Sequence, residues 1–206
     1  MDQAASLRRT FGKASGEASG QTPLVRNLIA VTGGKGGVGK TTLACNLACE
    51  LAADGARVLL VDGDMGLGNA DILLGASPAH DISDTVARGM SLQDAVMQVR
   101  PGLSLLAGGS GIKDLTDMVA GRRGALLREL ASLCAEYDFV VVDTPSGAGR
   151  NVRDILDMAA TALLVTTPEP AAIQDAYALG KLARVGGWAG RLLLTCLLYT
   201  SPSPRD

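Results

Sequence analysis

The chain has 206 residues, a net charge of −2, 47% hydrophobic residues and 26 glycines. This is enough for one domain with a sizeable core, and the composition is typical of a globular α/β protein rather than a disordered or fibrous chain. The near-neutral charge argues against binding of nucleic acid by the protein as a whole, so no nucleic acid partner is expected, although a local basic patch stays open.

The predicted elements alternate between apolar runs and helical patterns. Residues 1–12 are predicted to form a short amphipathic helix, and residues 13–25 a flexible linker rich in Ser, Gly and Ala. One domain is predicted over residues 26–195. Its strands are expected at Leu28–Thr32, Arg57–Asp62, Leu103–Ala107, Phe139–Asp143, Ala162–Thr167 and Leu192–Thr195, and its helices at Lys40–Ala53, Gly124–Glu136, Val152–Ala160 and Ala171–Val185. This order predicts an α/β fold with a mostly parallel, doubly wound sheet and helices on both faces.

Residues 196–206 interrupt this pattern, because two Ser-Pro steps follow a strand that has barely started. Two interpretations stay open: a natural flexible terminus, or a coding sequence that ends near Thr195 and is followed by non-native residues. We expect a cytoplasmic protein, since the first ten residues are polar and no apolar run reaches the roughly 20 residues that span a bilayer.

The four cysteines form no C-x-x-C pair, and the chain has a single histidine, His80. The sequence therefore carries no zinc or redox signature. Cys45 and Cys49 are four residues apart in an apolar helical pattern, which predicts small core residues rather than metal ligands.

A glycine-rich segment follows the first predicted strand and precedes the first predicted helix. Residues 34–41 read GKGGVGKT and match G-x-x-x-x-G-K-[ST] at every fixed position. Such a loop turns its backbone N–H groups toward phosphate oxygens, and the helix dipole adds to the attraction. Lys40 is expected to reach the outer phosphates, the Thr41 hydroxyl to bind Mg²⁺, and the Thr42 hydroxyl to contact an inner phosphate. The predicted ATP-binding residues are Gly34, Lys35, Gly36, Gly37, Val38, Gly39, Lys40, Thr41 and Thr42.

Three acidic residues follow two of the predicted strands. Asp62 and Asp64 close one strand and Asp143 closes another. Ligands of doubly wound sheets lie outside the carboxyl ends of the strands, so all three side chains are expected near the phosphate loop. Asp143 is a candidate Mg²⁺ residue. An EF-hand is disfavoured because no third Asp or Asn and no closing Glu follow Asp64 at the required spacing.

The segment Lys35–Thr42 resembles the deviant Walker A signature of the MinD/ParA family of dimerising ATPases. The resemblance implies that Lys35 reaches the phosphates of the partner subunit in an ATP-dependent homodimer. It also implies that Asp62 acts beside the metal and Asp64 on the attacking water, so that Lys35, Lys40 and Asp64 are the catalytic candidates and Thr41, Asp62 and Asp143 the metal candidates. The family's adenine-binding Asn is replaced by Thr195-Cys196, and residues 167–170 are expected to border the base.

Three further segments resemble the FlhG (FleN) subgroup, which regulates flagellar number. Residues 2–8 match the motif DQAxxLR through Asp2, Gln3, Ala4, Leu7 and Arg8, and residues 61–75 and 166–181 match two other stretches. The subgroup implies that this motif activates the GTPase FlhF, with Gln3 acting in trans. It further implies flagellar switch proteins or a flagellar transcription regulator as partners, and peripheral attachment to the inner membrane by a helix that the sequence does not contain.

Two other functions stay open within the same superfamily. A ParA- or MinD-like ATPase for DNA segregation or division-site positioning would share the phosphate loop. An iron–sulfur carrier or nitrogenase-type reductase would require clustered cysteines, which the sequence lacks.

Overall fold

The computed structural model describes residues 24–64, 68–109 and 120–198. The strands are β1 (Val25–Thr32), β2 (Val58–Asp62), β3 (Met97–Arg100), β4 (Leu103–Leu106), β5 (Phe139–Asp143), β6 (Ala159–Thr166) and β7 (Arg191–Cys196). The helices are α1 (Lys40–Ala53), α2 (Ala70–Leu74), α3 (Ile82–Arg88), α4 (Leu92–Ala95), α5 (Ala120–Leu133), α6 (Arg150–Met158) and α7 (Pro170–Val185), and a 3₁₀ turn at Cys134–Glu136 follows α5.

The described strands form one sheet in the order β3-β4-β2-β5-β1-β6-β7. Every neighbouring pair is parallel except β3 and β4, which are antiparallel. The central strands are buried on both faces, and Val140, Val141 and Val142 have no exposed surface. Such continuous apolar runs are typical of parallel strands covered by helices on both sides.

Two apolar clusters occupy the two faces of the sheet. Leu59 and Val142 belong to the cluster that includes α5, α6 and α7, whereas Leu60 and Val141 belong to the cluster that includes α1. Successive strand residues point to opposite faces, so this division shows helices on both sides. The prediction of a mostly parallel, doubly wound α/β sheet is therefore confirmed.

Helix α1 packs on the sheet through small side chains. Ala44, Ala48 and Ala52 recur every four residues and are buried, and Cys45 lies beside them. Burial raises the pKa of the Cys45 thiol to about 12, which keeps it protonated in the core. The interpretation of Cys45 as a core residue is confirmed, and Cys49 is half-buried against the same cluster.

The boundaries differ from the sequence prediction at several places. Strand β1 begins at Val25, within the segment expected to be linker, and β7 continues through Cys196, within the expected tail. Strand β3 and the short helices α2, α3 and α4 were not predicted, because each has four to seven residues and too few periodic positions to give a pattern. The predicted helix over residues 1–12 lies outside the described residues. None of the described helices is both long and apolar enough to cross a bilayer.

Candidate nucleotide-binding site

The carboxyl ends of three neighbouring strands bring the candidate residues together. Asp62 ends β2 and Asp143 ends β5, and the two residues are directly opposite each other in the parallel register. Strand β1 lies on the other side of β5 and leads into the phosphate loop. The structure thus places both carboxylates beside the loop, at the edge of the sheet where doubly wound folds bind ligands.

The loop between β1 and α1 depends on glycine at two left-handed positions. Gly37 has a φ of 76° and Gly39 a φ of 95°, a region that other residues rarely adopt. Gly39 immediately precedes α1, and Val38 between the two glycines is buried. The loop therefore ends at the amino terminus of a 14-residue helix, whose free N–H groups and dipole attract an anion. Thr42 is exposed in the first turn of that helix.

Close packing also requires glycine at the start of the loop. A Cβ atom on Gly33 would lie 2.7 Å from the Val165 carbonyl oxygen, and one on Gly34 would lie 2.5 Å from the Cβ of Asp175. By contrast, the nearest atom to a Cβ on Gly36 would be the Ser146 hydroxyl, at 3.7 Å. The first part of the loop is therefore held against β6 and α7, whereas its middle is open.

Lys40 lies at the first position of α1 and is only 8% exposed. Its ammonium donates to the Lys35 carbonyl at 3.5 Å. Burial lowers the pKa of Lys40, and the negative charges of Asp143 and Asp64 oppose this effect. A phosphate group at the loop would favour the charged form of the same ammonium, so the geometry suits a lysine that contacts phosphate.

Thr41 and Asp143 form the part of the site that fits a divalent cation. The Thr41 hydroxyl donates to Asp143 Oδ2 at 2.5 Å. Asp143 Oδ1 is buried and has no hydrogen-bond partner among the described residues. Burial raises the pKa of Asp143 to about 6, and the charge of Asp62 adds to this effect. Mg²⁺ prefers hydroxyl, carboxylate and water oxygens, so these residues fit it.

Backbone N–H groups hold both carboxylate oxygens of Asp62, whereas one oxygen of Asp143 has no hydrogen-bond partner among the described residues. Its Oδ1 accepts from the Asp64 N–H at 3.1 Å and its Oδ2 from the Ala70 N–H, also at 3.1 Å. Burial raises the pKa of Asp62, and these two hydrogen bonds oppose the effect. Asp62 therefore adds negative charge beside Asp143 in a fixed orientation. Asp64 lies close enough for its charge to act on both Lys40 and Asp143.

Lys35 makes a contact that the sequence did not predict. Its ammonium forms an ion pair with the carboxylate of Glu169, in the turn between β6 and α7. Both side chains are partly exposed, at 41% and 61%. The sequence indicated residues 167–170 only as a border of the base pocket. A carboxylate between two prolines, after the strand that lies next to β1, was the signal that could have indicated Glu169.

The remaining candidate residues lie outside the described residues or at the end of β7, and one glycine near the site was not predicted. Asp2, Gln3, Ala4, Leu7 and Arg8 lie outside the described residues. Thr195 and Cys196 pair with Val165 and Thr166 as the last residues of β7. Gly108 was missed: a Cβ atom there would lie within 3 Å of the carbonyl oxygens of Asp62 and Asp64, so the segment after β4 supports the acidic turn.

The chain is similar in sequence to known proteins. The family model described as "AAA domain" matches residues 26–184. The chain is 39% identical over 155 residues to the antiactivator FleN of Pseudomonas aeruginosa, which covers 75% of this chain and 55% of that protein. It is 35% identical over 154 residues to the flagellum site-determining protein YlxH of Helicobacter pylori, covering 75% of this chain and 52% of that protein.

The chain belongs to the MinD/ParA family of AAA-domain P-loop proteins. A solved structure supports the same assignment: the septum site-determining protein MinD of Pyrococcus horikoshii, complexed with Mg-ADP. It is 29% identical, has a TM-score of 0.70 and covers 82% of this chain and 68% of that one. The chain spans about half the length of the curated relatives that it matches.

Proposed function

We propose that this chain is a MinD-type ATPase that dimerises with ATP and regulates the number and placement of flagella. The observation that carries the proposal is the loop with both Lys35 and Lys40, set beside Asp62 and Asp143 at one edge of the sheet. Two of its relatives are named as the antiactivator FleN and a flagellum site-determining protein.

The chemistry that these residues support is hydrolysis of the γ-phosphate by water. The oxygen of a water molecule forms a bond to the γ-phosphorus while the bond to the β–γ bridging oxygen breaks, which gives ADP and phosphate. Mg²⁺, when bound by Thr41 and Asp143, would neutralise charge on the β- and γ-oxygens. Lys40 is proposed to stabilise the same charge from the loop, and Asp64 to position the water and accept its proton.

Lys35 is proposed to complete the site across a dimer. Its side chain is about two-fifths exposed at the front of the loop and is not needed to fill the core. In an isologous dimer that faces loop to loop, each Lys35 would contact the phosphates of the other subunit. Both ATP binding and turnover would then depend on assembly, which is how the ATP state could carry spatial information.

The ATP-bound protein is proposed to act on a partner GTPase through residues 2–8. Gln3 would orient a water beside the GTP phosphates of the FlhF GTPase, as glutamine does in other GTPases, and Leu7 would anchor the segment in an apolar groove. A flagellar switch protein or transcription regulator, and a membrane surface, are further proposed partners.

Two measurements test the proposed ATPase activity and the proposed flagellar role. The chain is incubated with Mg-ATP, and phosphate release and oligomeric state are measured for the unmodified protein and for Lys35→Ala. A peptide of residues 1–20 is then added to FlhF, with a Gln3→Ala peptide as the matched control. Stimulation of GTP hydrolysis by the first peptide alone supports the flagellar assignment. Lys35-dependent ATPase activity without stimulation by either peptide would restrict the function to the wider family.

The second candidate is division-site positioning, because the solved relative with the same fold is a septum site-determining MinD. DNA segregation belongs to the same alternative. Binding of nonspecific DNA that weakens steeply as salt rises would favour segregation, since that dependence reports contacts to phosphates.

A further inference from the structure

A groove runs between helices α6 and α7, on the face of the sheet opposite to α1. It encloses about 230 Å³, several times the roughly 30 Å³ that one water molecule occupies. Its walls are mostly apolar and include Leu156, Leu179, Leu182 and Ala183. Val185, in the last turn of α7, lines the same groove and is 69% exposed. The groove therefore offers apolar contacts to a further segment of protein.

The chain enters the fold beside one end of this groove. Val25 begins β1 and is paired with Ala159, which directly follows α6. The side chain of Leu24 packs on the same apolar cluster as Leu156 and Leu179. Residues 1–23 are therefore attached to the domain at the end of the groove where the last turn of α6 lies.

Residues 1–12 have the apolar pattern that such a groove accepts. Ala4, Leu7 and Phe11 recur at the spacing with which amphipathic helices bind apolar grooves. A helix of this length would extend for about 18 Å. The eleven residues 13–23 could span up to roughly 36 Å when extended. The tether is therefore long enough for residues 1–12 to reach any part of the groove.

The charges of the groove and of this segment are complementary. The α6 side of the groove carries Arg153 and Asp157, which are exposed and one helical turn apart. The segment carries Asp2 near one end and Arg8 and Arg9 toward the other. A docked segment can thus place an acid near Arg153 and a base near Asp157, and each such exposed pair changes an equilibrium by up to about five-fold.

We propose that residues 1–12 dock in the groove between α6 and α7 of their own chain and that docking covers the segment Asp2–Arg8. The docking requires this chain alone. Its consequence rests on the proposed function: a partner GTPase contacts the segment only after it has left the groove. The tether supplies an effective concentration of about 1 mM, so an intrinsic dissociation constant of about 0.1 mM keeps the segment docked about 90% of the time.

Trypsin reports the docked state in the whole chain. It cleaves after Arg8 and Arg9, within the docked segment, and after Lys13, in the tether. The initial rate at each bond is measured by mass spectrometry, and a free peptide of residues 1–20 gives the undocked rates. Val185→Lys places an ammonium at the apolar groove, where it also repels Arg8 and Arg9. Leu73→Lys is the matched control, since Leu73 is 53% exposed on α2, which packs on the other face of the sheet.

We expect the bonds after Arg8 and Arg9 to be cleaved about ten-fold more slowly in the unmodified chain than in the peptide, and the bond after Lys13 at similar rates in both. Val185→Lys should bring the first two rates close to those of the peptide, and Leu73→Lys should not. Equal rates in the unmodified chain and the peptide would overturn the docking. Protection that survives Val185→Lys would overturn the choice of groove, and protection that grows with protein concentration would assign the groove to a second copy of the chain.

The same chains, added to the partner GTPase, separate the docking from the proposed function. If both hold, Val185→Lys stimulates GTP hydrolysis more than the unmodified chain and Leu73→Lys do. Equal stimulation by all three chains would overturn the covering of the segment. If the protection depends on Val185 but neither the chains nor the peptide stimulate the GTPase, the docking stands and the proposed function fails.

Discussion

Replacing Asp143 with asparagine is expected to stabilise the protein when divalent cations are absent and to weaken binding of Mg-ATP. Asp143 is 2% exposed, and one of its carboxylate oxygens is buried without a partner among the described residues. The neighbouring Asp62 adds negative charge to the same place. An asparagine keeps the acceptor for the Thr41 hydroxyl and removes the buried charge.

The magnitude follows from the pKa of Asp143, which burial raises from 3.8 to about 6. The folded chain thus holds this proton more tightly than the unfolded chain, so the stability that the protonated group contributes is complete below about pH 4 and is lost as the pH rises through about 6. Each pKa unit corresponds to about 1.4 kcal/mol, so ionisation of Asp143 costs about 3 kcal/mol at pH 8 and about half of that at pH 5. Relief of this cost corresponds to a rise in melting temperature of up to about 6–12 °C at pH 8.

The assay is urea unfolding in EDTA at pH 5 and pH 8. Asp138→Asn is the matched control with the opposite sign, because Arg57 lowers the pKa of Asp138 to about 2 and its charge is therefore favourable in the folded chain. The contribution of Asp138 is present above pH 4 and is lost as the pH falls toward 2. A decrease in stability for Asp143→Asn at pH 8 without divalent cations would refute the reasoning about the buried charge.

The difference in stability between the two chains should shrink toward zero when Mg²⁺ and nucleotide are added. A ligand at 100 times its dissociation constant stabilises the folded state by about 2.7 kcal/mol. The unmodified chain should gain this amount, and Asp143→Asn should gain much less at the same concentration. Equal gains for the two chains would show that Asp143 takes no part in binding the metal.

Three further predictions concern the same site. Lys40→Ala should weaken binding of a fluorescent ATP analogue by about 10- to 100-fold or more, since hydrogen bonds to charged groups are worth about 1.5–3 kcal/mol each; retained affinity would contradict the assignment of the loop. Asp64→Ala should keep ATP-dependent dimers while phosphate release falls, and unchanged release would remove Asp64 from the reaction. Gly34→Ala should lower the melting temperature more than Gly36→Ala, because a Cβ atom at residue 34 would lie 2.5 Å from Asp175 and one at residue 36 has space.

The sequence was sufficient for the parts of the fold that repeat a strong local pattern. The run FVVVD is short and rich in β-branched residues, which predicts a strand buried on both faces, and Lys40–Ala53 has small apolar residues at helical spacing. Short elements gave no comparable signal. Strand β3 (MQVR) has two polar residues among four, and its antiparallel pairing with β4 depends on contacts made after the chain has turned.

The candidate site likewise has features that the sequence predicts and features that only the tertiary structure decides. The sequence alone determined the phosphate loop, because its glycines and lysines are adjacent in the chain, and it indicated that Asp62, Asp64 and Asp143 approach the loop, because parallel strands end at one edge of a sheet. Only the tertiary structure decided that Glu169 pairs with Lys35 and that one oxygen of Asp143 is buried without a partner. Both facts depend on distances and burial between segments remote in sequence, which no local pattern of residues encodes.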